Sequence, residues 1–103
     1  MRDTAYVYFI RGIHDDDGSA IVKIGYSGNV PARFWDLAKA HPFLDLEILG
    51  TYRANKATAF AIEKRFHKIE RVALGRKQRS EWYPDSPRIH ALFDLIKAGV
   101  YHA

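Results

Sequence analysis

The chain has 103 residues, 48% of them hydrophobic and 27% charged, with a formal net charge of +4. That length suits one domain with a single modest core, and the composition excludes a disordered or fibrous chain. The absence of cysteine excludes disulfide staples and thiolate metal sites, so stability must come from packing. No apolar run approaches the ~20 residues of a membrane span, and the N-terminus lacks a secretory pattern. The expectation is a cytoplasmic domain over residues 1–103 with no membrane partner.

Residues 5–11, centred on Tyr6-Val7-Tyr8-Phe9-Ile10, predict a strand, being rich in β-branched and aromatic side chains. His14-Asp15-Asp16-Asp17-Gly18-Ser19 is a turn, and residues 20–26, ending Lys23-Ile24-Gly25-Tyr26, form the returning strand of an antiparallel hairpin. The aspartates lack the alternating spacing and distal glutamate of a calcium loop. Alternation puts Val7 and Phe9 on one face of the first strand and Val22 and Ile24 on one face of the second. If these line the core, Tyr6, Tyr8 and Lys23 share the opposite face. A face bearing two phenols and an ammonium suits a site better than a core.

Ser27-Gly28-Asn29 breaks the strand, and Pro31 occupies the first turn of a helix running to about Ala40. Val30, Phe34, Leu37 and Ala38 form its buried stripe, flanked by Arg33 and Asp36; His41-Pro42 ends it. Residues 44–52 alternate Leu44, Leu46 and Ile48 against Asp45 and Glu47, which predicts a third strand with one wet face. The longest helix spans about Asn55 to Val72, packing through Ala59, Ile62, Phe66 and Ile69, with Glu63 and His67 one turn apart beside that stripe. A basic loop around Gly75 leads to Glu81-Trp82-Tyr83-Pro84. Ser86 and Pro87 then open a last helix that buries Ile89, Leu92, Phe93 and Ile96 and ends at Gly99. The expected fold class is α+β, a three-stranded antiparallel sheet flanked by helices.

Lys64, Arg65, Lys68, Arg71, Arg76, Lys77 and Arg79 crowd the stretch 64–79, opposed within it by Glu70 alone. Such clustering is the footprint of a polyanion, or else of a solvated helix face. Around it lie the groups that phosphodiester cleavage requires: stabilisation of negative charge, handling of water and help for a leaving oxygen. Arg33 offers a planar donor fork for phosphate, or a helix pairing with Asp36. Glu63 suits Mg²⁺, which takes one or two carboxylates plus substrate phosphate, or pairs with His67. His67 positions a phosphate, pairs with Glu63 or packs beside Tyr26. Tyr8 is the candidate base or water-orienting group; its phenol titrates near 10 when free, and a neighbouring Lys23 ammonium favours the phenolate. Alternatively Tyr8 is a cross-strand packing residue and Lys23 a phosphate clamp. Tyr6 and Tyr26 are assigned to the cleft wall, while Trp82 and Tyr83 either stack on a base or fill the core.

In this order the chain resembles the GIY-YIG nuclease superfamily. Tyr6-Val7-Tyr8 matches its first motif, Lys23-Ile24-Gly25 its second, Arg33 its arginine and Glu63 its metal-binding glutamate. Glu63-x-x-x-His67 and Glu81-Trp82-Tyr83 look like the small orphan branch of phages and bacteria. Tyr6 stands where the first motif has glycine, and Lys23 where many members have tyrosine. The resemblance implies a metal-dependent DNA endonuclease using Mg²⁺ or Mn²⁺, with specificity supplied by a homodimer or partner protein. Two other classes fit the residues. One is an inactive nucleic-acid-binding module using the same cleft and the basic stretch 64–79; the other is a protein-interaction domain anchored by Trp82, Tyr83 and Tyr101.

Overall fold

The computed structural model describes residues 3–75 and 80–97. In chain order these form β1 (Thr4–His14), β2 (Ala20–Ser27), α1 (Val30–Ala40), β3 (Leu44–Asn55), α2 (Lys56–Leu74), β4 (Trp82–Pro84) and α3 (Pro87–Lys97). The expectations placed on Arg76, Lys77, Arg79, Gly99 and Tyr101 lie outside the described residues. The α+β class is as expected, but the antiparallel sheet has four strands rather than three, in the order β3-β1-β2-β4. The additional strand, Trp82–Pro84, pairs Val22 with Tyr83 and Lys23 with Trp82. Three residues ending in proline are too few to show alternation in sequence, and proline is tolerated on this edge strand because its missing N–H breaks no inner ladder.

Helices α2 and α3 cover one face of the sheet. Val7, Phe9, Val22 and Ile24 meet Ala59, Ile62 and Phe66 of α2, Ile89, Leu92 and Ile96 of α3, and Tyr83. Helix α1 covers the other, where Val30 and Leu37 close on Tyr8 and Ile10. The hairpin faces therefore divide as the alternation predicts. The Tyr6–Tyr8–Lys23 face is nevertheless not an open one, since Tyr8 is 1% and Lys23 5% exposed. The sequence pattern reports which side chains share a face, not that α1 folds back over it.

β3 keeps its predicted alternation only as far as Ile48. Phe9 pairs with Gly50 and Ile10 with Ile48, so Leu49 is an extra residue that reverses the phase of the strand. Beyond it Leu49, Tyr52 and Ala54 pack on the α2 side. Gly50 has no Cβ because the Phe93 ring of α3 lies against it. Asn55, expected as the first helical residue, is instead the N-cap of α2 and accepts from the Thr58 N–H at 2.8 Å. Gly75 closes the helix with φ 65°. Among the described residues, no helix is long and apolar enough to cross a membrane.

Candidate functional site

Tyr8 and Gly25 are cross-strand partners, and the phenol of Tyr8 lies directly over the glycine. The first turn of α1 is fixed by Asn29, whose side chain accepts from the Ala32 N–H and whose carbonyl accepts from the Arg33 N–H. This brings the exposed Arg33 over the same spot, where its Nε donates to the Tyr8 hydroxyl at 3.4 Å. Asp36, the alternative local partner for Arg33, lies 4.0 Å from Lys39 and acts on the guanidinium through its charge. Burial pushes the Tyr8 phenol above its ordinary 10.0, against the pull of the Arg33 hydrogen bond and charge. The phenol is thus neutral at neutral pH. The expected phenolate-promoting role of Lys23 is not realised, because its Nζ donates instead to Glu81 Oε1 at 2.6 Å.

At the edge of β2 beyond the end of β4, α2 presents Glu63 and His67. His67 Nε2 lies 2.9 Å from Glu63 Oε2, and its Nδ1 lies 2.5 Å from the buried Tyr83 hydroxyl. A carboxylate can only accept, so Nε2 carries the shared proton; in the neutral ring Nδ1 then accepts from Tyr83. Glu81 Oε2 stands 3.9 Å from His67 Nε2. Burial works to raise the Glu81 pKa but is outweighed by the Lys23 hydrogen bond and charge, aided by His67 and Arg71, which hold it below 4.5. The charges of both Glu81 and Glu63 act on Tyr8. Arg33, Tyr8, Lys23, Glu81, His67 and Glu63 therefore form one continuous cluster assembled from α1, β1, β2, the approach to β4, and α2.

The family model of the T5orf172 domain matches residues 5–96. The chain belongs to the T5orf172 domain family. This is a phage-associated domain related to the GIY-YIG/HNH-like nuclease fold, consistent with a nuclease-like or DNA-binding role. No curated protein and no solved structure matches the chain.

In this T5orf172 domain the two tyrosines assigned to the cleft wall part company. Tyr6 shares the face of Tyr8 and borders a shallow groove with Asn29, Val30 and Pro31. Tyr26 pairs with Val7 and so points to the opposite face, where its ring lies 5.4 Å from Phe60 of α2. A one-residue step along a strand exchanges faces, and the run of tyrosines conceals that step. Trp82 packs edge-on to His41 at 5.3 Å, and His41 closes α1 as expected. Lys64 and Lys68 are exposed and share a groove on α2 with Arg65 and Arg71.

Sequence reasoning named Glu81 only as part of a motif and gave Tyr83 either a base or the core, of which the structure shows the core. The signal that both face the site is the one-residue offset between them and Trp82. Tyr83, paired with Val22, turns toward the α2 face, and Trp82 toward α1.

Glu63, His67 and Glu81 offer ligand atoms that all lie within 4.8 Å of one another. The two carboxylates suit a hard divalent cation such as Mg²⁺ or Mn²⁺, and His67, whose Nε2 proton is directed at Glu63, orients that carboxylate rather than ligating the ion. Glu63 is thus not a sole carboxylate, since Glu81 stands within reach of the same point.

Proposed function

We propose that this T5orf172 domain is a metal-dependent DNA endonuclease belonging to the GIY-YIG superfamily in the strict sense. The observation that carries the reading is the convergence of an exposed guanidinium on the neutral Tyr8 phenol, beside a carboxylate–imidazole–carboxylate cluster. Glu63 and Glu81 would hold Mg²⁺ or Mn²⁺, which supplies charge neutralisation at the phosphate. Arg33 binds two phosphate oxygens through its fork. Tyr8, held protonated, orients a water by hydrogen bonding rather than as a preformed phenolate, and that water's proton passes to solvent as its oxygen bonds to phosphorus. Lys23 donates toward the oxygen that leaves when water adds to phosphorus and the phosphorus–oxygen ester bond breaks. Lys64, Arg65, Lys68 and Arg71 track the flanking backbone.

A plasmid is expected to be nicked in Mg²⁺ or Mn²⁺ and left intact in EDTA, with Arg33→Ala and Glu63→Ala each lowering the rate at least ~100-fold. Nicking that survives both substitutions removes these residues from the mechanism. One observation favours a binding module without turnover: Lys23 and Glu81 already satisfy each other. That alternative requires salt-sensitive binding with no product in either metal.

A further inference from the structure

Tyr26 and Phe60 lie outside the proposed chemistry, yet they share the open edge of β2 with it. Phe60 is 46% exposed, large for an apolar side chain, and its ring stands 5.4 Å from that of Tyr26. Together with Asp3, Asn55, Lys56 and Ala57 they line an open recess of about 550 Å³. Lys56 is exposed at its rim, and Lys64 Nζ lies over the Phe60 ring, 5.8 Å from its centre. An aromatic face flanked by two ammonium groups is complementary to a planar base attached to an anionic backbone. A purely apolar partner would gain nothing from the lysines.

The position of the platform sets what it can meet. Phe60 precedes Glu63 by three residues, so the two are neighbours on one side of α2. One helical turn of ~5.4 Å is on the scale of one to two nucleotide steps of ~3.4 Å each. A base seated on Phe60 therefore leaves a phosphate one or two positions away beside Glu63. Inside an intact duplex each base is stacked and paired, so no base face is free for Phe60.

We infer that Phe60 and Tyr26, with Lys56 and Lys64, form a stacking site for an unpaired nucleobase next to the cleaved phosphate. The preferred substrate is then DNA with a frayed, branched or single-stranded segment. This rests on the nuclease reading for the phosphate beside Glu63, but the stacking itself is measurable without cleavage.

The test is equilibrium binding in EDTA by fluorescence anisotropy, comparing a blunt duplex with the same duplex carrying a few unpaired nucleotides. The full chain is expected to bind the second at least tenfold more tightly, a margin on the scale of one base stacked on an aromatic ring (roughly 5- to 150-fold). An abasic residue at the unpaired position abolishes that margin if the base, rather than the freed backbone, is recognised. Phe60→Ala abolishes it too, as does Phe60→Leu, which keeps an apolar contact with Tyr26 but has no ring face. Blunt-duplex affinity changes less than about twofold in either variant. Because Phe60 is half exposed, both variants are expected to fold, and circular dichroism verifies this.

Equal affinity of the unaltered protein for the two DNAs overturns the inference, as does a margin that persists in Phe60→Ala. If plasmid nicking is intact while the margin is absent, the stacking site alone falls. If no DNA binds at all, the nuclease reading falls with it.

Discussion

The ring of Tyr8 occupies the space that a side chain at Gly25 would need: a Cβ there would sit well inside 3.0 Å of the phenol's hydroxyl oxygen and ring carbons. Gly25 thus acts as a seat for Tyr8 rather than as a turn residue, since its backbone is ordinary strand. Gly25→Ala is expected to push the phenol off its hydrogen bond with Arg33. The cost is about 1–3 kcal/mol of stability, typical of overpacking a closed core. Urea unfolding measures it, and nicking should fall in parallel. Adding Tyr8→Ala to Gly25→Ala should cost less than the sum of the two single changes, because the clash is then removed. Strict additivity would mean that the two positions do not interact.

Two groups of the site should mark opposite limbs of the stability–pH curve. Burial holds the Tyr8 pKa above 10.0, so its contribution is complete below pH 10.0 and declines as pH rises through the folded-state value. Tyr8→Phe should flatten that alkaline decline and remove one late-ionising tyrosine from an ultraviolet titration. Glu81 is held below 4.5, so the Lys23–Glu81 pair contributes above that pH and is lost as pH falls further. Glu81→Gln should flatten the acid limb and leave the alkaline one alone. Denaturant midpoints measured from strongly acidic to strongly alkaline buffers separate the two.

The exposed face of α2 gives a quantitative expectation for binding. Each of Lys64 and Lys68, if it meets a phosphate, releases one condensed counterion, so Lys64→Ala or Lys68→Ala should reduce the slope of log K against log salt by about 0.9 on duplex DNA. Lys39, exposed on α1 and near Asp36, is the control, and Lys39→Ala should leave the slope unchanged. Equal slopes for all three variants would place the DNA elsewhere on the molecule.

What the sequence revealed of this molecule follows its periodicities. Val7, Phe9, Val22 and Ile24 alternate cleanly, and Ala59, Ile62 and Phe66 repeat at helical spacing, so the layers and the burial of α2 were readable from pattern alone. The bulge at Leu49 was not, because one inserted residue in an apolar stretch leaves the composition unchanged. At the site, Arg33, Tyr8 and Glu63 were legible by residue type and order. The pairing of Lys23 with Glu81 was hidden, since it depends on β4 bringing residue 81 alongside residue 23 across 58 positions of chain. A three-residue strand gives no periodic signal of that return. The face that Tyr26 takes was hidden as well, since its pairing with Val7, which turns it away from Tyr6 and Tyr8, depends on the register of the hairpin.

Tyr83 illustrates how a fully buried hydroxyl can orient a carboxylate that it does not itself touch. Its oxygen engages His67 Nδ1, which fixes the ring so that Nε2 meets Glu63 Oε2. Tyr83→Phe keeps the ring that fills the core beside Val22 and removes the hydroxyl, so that Nδ1 loses this partner. The stability cost should be about 1–3 kcal/mol. If Glu63 helps to hold the divalent ion, loosening His67 should raise the metal concentration for half-maximal nicking by roughly 10- to 100-fold, the usual penalty for losing an orienting partner. Arg33→Ala should behave differently, lowering the maximal rate without shifting the metal dependence. A Tyr83→Phe protein with the full rate and the original metal dependence would show that Glu63 is held in place without the imidazole.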